Sequence, residues 1–183
     1  KTIEDMKKAS AKQPLISAGT GVGSNAYILA MLLKSKAGVN MTYVPFNSGT
    51  EAALALAGGQ TQMGTGALDS YAPLHEQKRL RVLAVAGPQR DESHKEFPTL
   101  AELGYDIKMD QMTGVFAPPG LPDQQLKILV AGFQKAFADK DYLAAPAKAK
   151  QTLQPMPPAE FRKASEGMFK TIQSLESVLK QSK

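Results

Sequence analysis

Leu15-Ile16-Ser17-Ala18-Gly19-Thr20-Gly21-Val22-Gly23-Ser24-Asn25, followed by the apolar run Ala26-Tyr27-Ile28-Leu29-Ala30-Met31-Leu32-Leu33, is the stretch that decides the fold. A short apolar segment ends in a glycine-rich turn, and the turn opens into a helix whose natural N-cap is Ser24. That geometry aims several backbone N–H groups, and the positive end of the helix dipole, at one spot in front of the turn. Such a spot binds anions without a charged side chain. No Lys or Arg lies between Leu15 and Leu33, so an anion held there meets neutral donors, and the carboxylate of a small metabolite fits. Glycines after a strand also serve simply as tight-turn residues, and the stretch alone is compatible with either reading. Two sharper motifs fail. A Walker-type phosphate loop ends in Gly-Lys-Ser/Thr, whereas Gly23 is followed by Ser24 and Asn25; the dinucleotide fingerprint needs G-x-G-x-x-G, whereas Gly19, Gly21 and Gly23 give G-x-G-x-G. No acidic residue stands about 20 positions on to take a ribose.

Working outward, Thr2 caps a helix over 3–12, with Glu4 and Asp5 in its first turn, and Pro14 ends it. A strand over 15–18 leads to the glycine turn and to a helix from 24 to about 36, which Gly38 closes. This helix is apolar almost all round and is expected to be buried. A strand over 41–46 follows, then Asn47-Ser48-Gly49-Thr50-Glu51, in which Ser48 and Glu51 have capping-box spacing, and a helix over 50–57 stopped by Gly58-Gly59. Further strands are expected at 62–66 and 81–86, with a helix over 68–77 between them and a short helix over 98–103 closed by Gly104. Strands alternating with helices across short connections mean a mostly parallel sheet, whose ligands sit beyond the carboxyl ends of the strands. The turns at 19–24, 47–50 and 67–70 all lie at that end, and their convergence says more than any one of them.

From Asp106 the texture changes. Residues 106–117 read as a long extended segment, Pro118-Pro119-Gly120-Leu121-Pro122 as a sharp corner, and helices follow at 123 to about 138, 140–150 and 158 to about 181. In the last, Phe161, Met168, Ile172, Leu175 and Leu179 recur at helical spacing, the mark of core or docking surface. These helices bring little sheet of their own and read as part of a second lobe.

The 183 residues suit one large domain or two small lobes, with 43% hydrophobic and 21% charged content of an ordinary globular kind. No apolar run approaches the roughly 20 residues of a membrane span. No signal peptide stands at Lys1, which reads as a cytoplasmic or a processed chain. With no cysteines there are no disulfides, thiolate metal sites or Cys nucleophiles. The net charge of +5 comes from scattered basic residues, the densest being the solvated corner Lys78-Arg79-Leu80-Arg81, without interleaved aromatics, so nucleic acid is not an expected partner. His75 and His94 lack ligand spacing, so no metal and no cofactor are expected. Ser24, His75 and Asp69 lack a nucleophile elbow and do not make a triad, and Asp91 with Glu92 reads as a solvated loop. No catalytic constellation is present. Asp69, the carboxylate of the convergent face, either complements a helix dipole, or orients loop donors or accepts from a ligand N–H or O–H.

The ordered set Ser17-Ala18-Gly19-Thr20-Gly21-Val22-Gly23-Ser24, Tyr43-Val44-Pro45-Phe46-Asn47-Ser48-Gly49, Ala55-Leu56-Ala57-Gly58-Gly59-Gln60, Asp69-Ser70, Leu80-Arg81-Val82-Leu83-Ala84-Val85, Pro98-Thr99-Leu100-Ala101-Glu102-Leu103-Gly104 and Val115-Phe116-Ala117-Pro118-Pro119-Gly120 resembles the extracytoplasmic solute receptors of tripartite tricarboxylate transporters, the Bug or TctC-like family. The resemblance runs over the whole chain. It implies an α/β, type II-like periplasmic binding protein: an α/β ligand-binding lobe over 1–107, and over 108–183 a hinge crossover strand and C-terminal helices returning to an incomplete second lobe. It implies a periplasmic location, a small carboxylated solute (a di- or tricarboxylate, an amino acid or an aromatic acid), delivery to a membrane permease, and no enzymatic activity. By the same resemblance Gly19, Thr20, Gly21, Val22, Gly23, Ser24 and Asn25 make the main ligand contact of this lobe. Asn47, Ser48, Gly49 and Thr50 form a second wall, and Asp69 sits near the ligand's other end. The family often carries Lys-Gly-Gly where this chain has Asn47-Ser48-Gly49, and an acidic residue near Thr61-Gln62 is missing, which leaves the identity of the acid open. Complete members begin with a further stretch bearing another glycine-rich binding loop, so the chain is expected to hold half a site. A ligand-presenting sensory receptor, and an enzyme on anionic substrates, are the other readings.

Overall fold

The structure is a computed structural model and describes residues 2–109, 111–148 and 155–174. The chain divides into two compact units, Lys1–Gln111 with Gly167–Lys183, and Met112–Glu166.

The first unit is built around α1 (Ile3–Lys12), β1 (Leu15–Thr20), α2 (Asn25–Ala37), β2 (Met41–Phe46), α3 (Gly49–Ala57), β3 (Met63–Gly64) and α4 (Leu68–Glu76). The strands form one parallel sheet in the order β2-β1-β3, with Leu15 opposite Met41 and Ala18 opposite Val44 and Gly64. Thr2 and Asp5 cap α1 reciprocally, side chain to backbone in both directions. Ser10, buried on α1, donates to the Lys7 carbonyl at 2.8 Å and accepts from the Asn40 N–H at 3.1 Å, which ties the helix to the start of β2.

The pleat sends neighbouring residues to opposite sides of the sheet. Leu15, Met41 and Met63 join α2 in the main core, where Ile28, Met31, Leu32 and Leu33 are buried. Gly64, one residue on from Met63, lies against the Tyr71 ring, which with Ala53 and Leu74 makes a smaller cluster between α3 and α4. From Ala26 to Leu33 helix α2 is apolar and largely covered, Lys34, Ser35 and Lys36 are exposed near its end, and it ends on Gly38, whose φ of 69° takes the left-handed turn the C-cap needs.

Three expectations need correction, at residues 81–86, 62–66 and 98–103. Residues 81–86 are not a fourth strand: Val85 makes a single parallel bridge to Thr99, donating to the Pro98 carbonyl and accepting from the Leu100 N–H, while the Ala86 carbonyl accepts from the Met109 N–H and the Val82 N–H donates to His75 Nδ1. The strand expected at 62–66 shrinks to Met63–Gly64 because the Thr65 carbonyl is diverted to the Tyr71 hydroxyl. Residues 98–103 are a capped turn, not a helix. Thr99 and Glu102 cap each other across three residues and Gly104, at φ 87°, reverses the chain at once. The extended segment at 106–117 joins no ladder among its described residues.

The second unit holds α5 (Asp123–Ala138), α6 (Lys140–Lys148) and the first part of α7 (Pro158–Ser174). Phe116 packs edge-on against Phe161, and Phe137 lies between Phe133 and Tyr142. No residue of α5 is buried; Ile128 is 65% exposed and Phe116 79%. In the first unit, Met168 and Ile172 of α7 pack on the main core. Leu175 and Leu179, the rest of that helical stripe, lie outside the described residues, as do the expected ends of α6 and α7. Among the described residues no helix is long and apolar enough to cross a membrane.

Leu32 is 1% exposed at the centre of the first unit's core. Leu32→Ala is expected to lower unfolding free energy by about 2–5 kcal/mol, read by urea denaturation.

Candidate functional site

Because the strands are parallel, all three end at one edge, and each is followed by a turn and a helix N-terminus. Gly19 and Thr20 close β1, Gly21, Val22 and Gly23 make the turn, with Gly23 at φ 87°, and Asn25 is the first residue of α2. Ser24 caps α2: its hydroxyl accepts from the Tyr27 N–H and donates to the Thr20 carbonyl, both at 3.2 Å. Among the described residues nothing in the chain accepts from the N–H groups of Gly21, Val22, Gly23, Asn25 or Ala26. Val22 stands at the tip of the turn, 72% exposed.

At the second turn Ser48 caps α3 by accepting from the Glu51 N–H at 3.1 Å. The Glu51 carboxylate reaches back to the Asn47 N–H at 3.2 Å, one residue earlier than a regular capping box. Asn47 and Ser48 therefore spend these groups on their own helix, and Gly49 and Thr50 contribute the N–H groups left over. At the third turn the Thr65 N–H extends the ladder to the Ala18 carbonyl, and its hydroxyl donates to the Ala26 carbonyl at 2.8 Å. Asp69 is exposed in the first turn of α4 and accepts from the Ser70 hydroxyl at 3.4 Å.

Side chains join these turns to one another. The Thr65–Ala26 bond links the third to the first, and Gly49 lies so close to Ser70 that a Cβ there would come within 2.8 Å of its hydroxyl oxygen. Tyr43, on β2, donates to the Thr20 carbonyl at 2.6 Å, and its ring meets Tyr27 edge-on. Burial pushes the Tyr71 hydroxyl up to about 12, with the proximity of Tyr43 adding to it, and burial raises Tyr43 as well. Both are donors at neutral pH.

The carboxylates of Glu51 and Asp69 are the charged side chains of these turns; Lys34 and Lys36 sit at the far end of α2. No group of three His, Cys, Asp or Glu that could hold a metal occurs among the described residues. His75 accepts from the Val82 N–H and packs edge-on against Phe97, on which His94 stacks. Two surface hollows of about 520 and 350 Å³ lie against α1, away from the turns.

The geometry brings Gly19 to Asn25, Asn47 to Thr50 and Asp69 to one edge. It adds Tyr43, Thr65, Gly66 and Tyr71, which the sequence reading did not single out. No sequence signal announces them, because the fold makes the pairing of each tyrosine with its glycine.

The family model for the tripartite tricarboxylate transporter family receptor matches residues 1–158. A UPF0065 protein encoded in the tcbD-tcbE intergenic region of Pseudomonas sp. (strain P51) is 31% identical over 147 residues, 78% of this chain and 44% of that protein. Among solved structures, a TctC solute binding protein from Polaromonas without ligand is similar at a TM-score of 0.79 and 24% identity, over 96% of this chain and 62% of that one. R. palustris Rpa4515 with adipate is similar at 0.76 and 22%, over 99% and 60%. At these identities the two structures show the fold, an α/β periplasmic binding protein. The chain spans less than half of the curated relative and about 60% of the solved structures.

The Tyr71 shift gives a pH dependence of stability. The unfolded chain releases this phenol proton near pH 10 and the folded one near 12, so between them the unfolded state binds fewer protons and stability falls as pH rises. Denaturation midpoints are expected to be flat from pH 8 to about 9.5 and to fall above it, less steeply in Tyr71→Phe. Tyr105, held up to about 12 by its bond to Glu4, titrates in both proteins and cancels in the comparison.

Proposed function

The chain belongs to the family of tripartite tricarboxylate transporter receptors, and from that premise we propose that it is an extracytoplasmic, periplasmic solute receptor that binds a small carboxylate and delivers it to a membrane permease. A receptor of this kind binds and releases; it is not an enzyme. The observation that carries the reading is the edge where three turns present backbone N–H groups that have no acceptor among the described residues, with no Lys or Arg in the turns themselves. A carboxylate has about four acceptor positions, matched by several N–H donors around a helix N-terminus. Rpa4515, which shares the fold, is described with adipate, and that supports a carboxylate as the ligand class.

In this reading Gly19, Thr20, Gly21, Val22, Gly23, Ser24 and Asn25 form the main contact. Asn47, Ser48, Gly49 and Thr50 form the second wall, chiefly through the Gly49 and Thr50 N–H groups, and Asp69 accepts from a donor elsewhere on the ligand. Residues 1–107 are the ligand-binding lobe, and 108–183 carry the crossover and the helices of the other lobe. The exposed apolar side chains of α5 support that assignment, since a face such as Leu126, Leu129 and Phe133 needs cover.

Malate, adipate, L-glutamate and benzoate, each titrated separately into the chain in its natural full-length context, test the proposal. At least one is expected to raise the thermal midpoint in a concentration-dependent way, as mass action requires. Thr20→Val with Gly21→Ala, which places methyl groups on the contact face, is expected to weaken that acid's binding at least tenfold by calorimetry. Unchanged affinity in the double variant overturns the site, and no stabilisation by any acid overturns the receptor reading.

A further inference from the structure

Two tyrosine hydroxyls act alike on two of the turns. Tyr43 donates to the Thr20 carbonyl, and its ring fills the space beside Gly19, where a Cβ would overlap the hydroxyl oxygen. Tyr71 donates to the Thr65 carbonyl at 3.2 Å, and its ring fills the space beside Gly66, where a Cβ would come within 2.7 Å of the ring edge. In each case a glycine next to the pinned carbonyl lets the ring approach.

The consequence lies in the peptide planes. A trans peptide holds its C=O and the following N–H in opposite directions, and no described peptide bond is cis. Drawing the Thr20 carbonyl onto Tyr43 therefore turns the Gly21 N–H away from it. Drawing the Thr65 carbonyl onto Tyr71 does the same to the Gly66 N–H. Among the described residues neither N–H has an acceptor in the chain. The register that sets Ala18 opposite Gly64 brings the two turns out of adjacent strands at the same height.

We infer that Tyr43 and Tyr71 are positioning residues, whose hydroxyls lock the Thr20–Gly21 and Thr65–Gly66 peptides so that both glycine N–H groups are held ready as donors to the ligand carboxylate. The inference rests on the receptor reading above and adds Gly66 to its contacts. Its physical basis is preorganisation: a donor already pointing the right way loses no freedom when the ligand arrives. Neither phenol releases its proton in the physiological range, so the arrangement persists wherever the protein is folded. The turns are not equally dependent on their tyrosines. The Thr20 carbonyl also accepts from Ser24, whereas Thr65 has Tyr71 alone among the described side chains.

Tyr43→Phe and Tyr71→Phe keep the rings and remove the hydroxyls. In 15N-labelled protein without ligand, the Gly66 amide is expected to be the glycine most shifted by Tyr71→Phe, and the Gly21 amide the one most shifted by Tyr43→Phe. Titrated with malate, adipate, L-glutamate and benzoate, the variants are expected to bind the wild type's acid about three- to tenfold more weakly, Tyr71→Phe the weaker, as loss of one neutral hydrogen bond allows. Far-UV circular dichroism should be unchanged. Packing alone predicts none of these amide shifts. Unmoved glycine amides overturn the inference, and so do moved amides with unchanged affinity. If no acid binds the wild type, the receptor reading falls by itself, and the glycine amides still decide whether the hydroxyls set the peptide planes.

Discussion

Three strands running the same way force the rest of the first unit. A parallel pair cannot be joined by a tight hairpin, so each connection must cross over, and here it does so through a helix. Every strand then ends at one edge and every following helix begins there. The first turn of a helix has N–H groups with no intrahelical acceptor, so the edge accumulates donors as a consequence of topology. Side-chain caps consume some of them: Ser24 takes one at α2, and Ser48 takes one at α3. What remains is a set of fixed dipoles facing outward from turns that carry no lysine or arginine of their own.

Burial keeps that edge in register. Helix α2 packs on the sheet with Leu32 and Met31 fully covered, and each such side chain contributes about 1.5–3 kcal/mol relative to exposure. A helix held this way cannot slide along its axis without opening cavities, so its N-terminus stays where β1 delivers the chain. The glycines carry the other half of the constraint. Gly19, Gly49 and Gly66 are places where a neighbouring side chain occupies the volume a Cβ would need, so the turns are drawn tightly onto the sheet and onto one another.

This division explains what was legible in the sequence. The alternation of apolar segments and capped helices gave β1, α2, β2 and α3 to within two residues at either end, because each is fixed by local chemistry: Ser24 and Ser48 as caps, Gly38 and Gly58 as stops. The common edge of the turns followed from that order. Illegible were features decided by distant partners. Residues 81–86 have the composition of a strand, but their backbone groups find Pro98, Met109 and His75 before they find a sheet edge. The third strand is short because a tyrosine seven residues beyond Gly64 takes the Thr65 carbonyl. Tyr43 and Tyr71 were not legible as supports of the turns, since nothing local to either announces the glycine it covers.

The proposed anion site, with no cation in its turns, has its own logic. A lysine attracts any anion across the roughly 8–10 Å that salt leaves unscreened, whatever its shape. A peptide N–H acts at about 2.9 Å and only along its own direction, so it rewards an oxygen in one place and little else. Selectivity then resides in where the donors point, and affinity in how little they move when the ligand arrives. In the proposed site Glu51 and Asp69 would sharpen this. Their charges at the same edge disfavour an anion that is merely nearby, while the Asn47 N–H and the Ser70 hydroxyl they hold keep their carboxylates local to α3 and α4. Such a surface has to be rigid to bind at all. Rigidity of a turn is not a property of its own few residues, which are exposed and glycine-rich here; it has to be supplied from beneath, by groups that grip the carbonyls and leave the N–H groups alone.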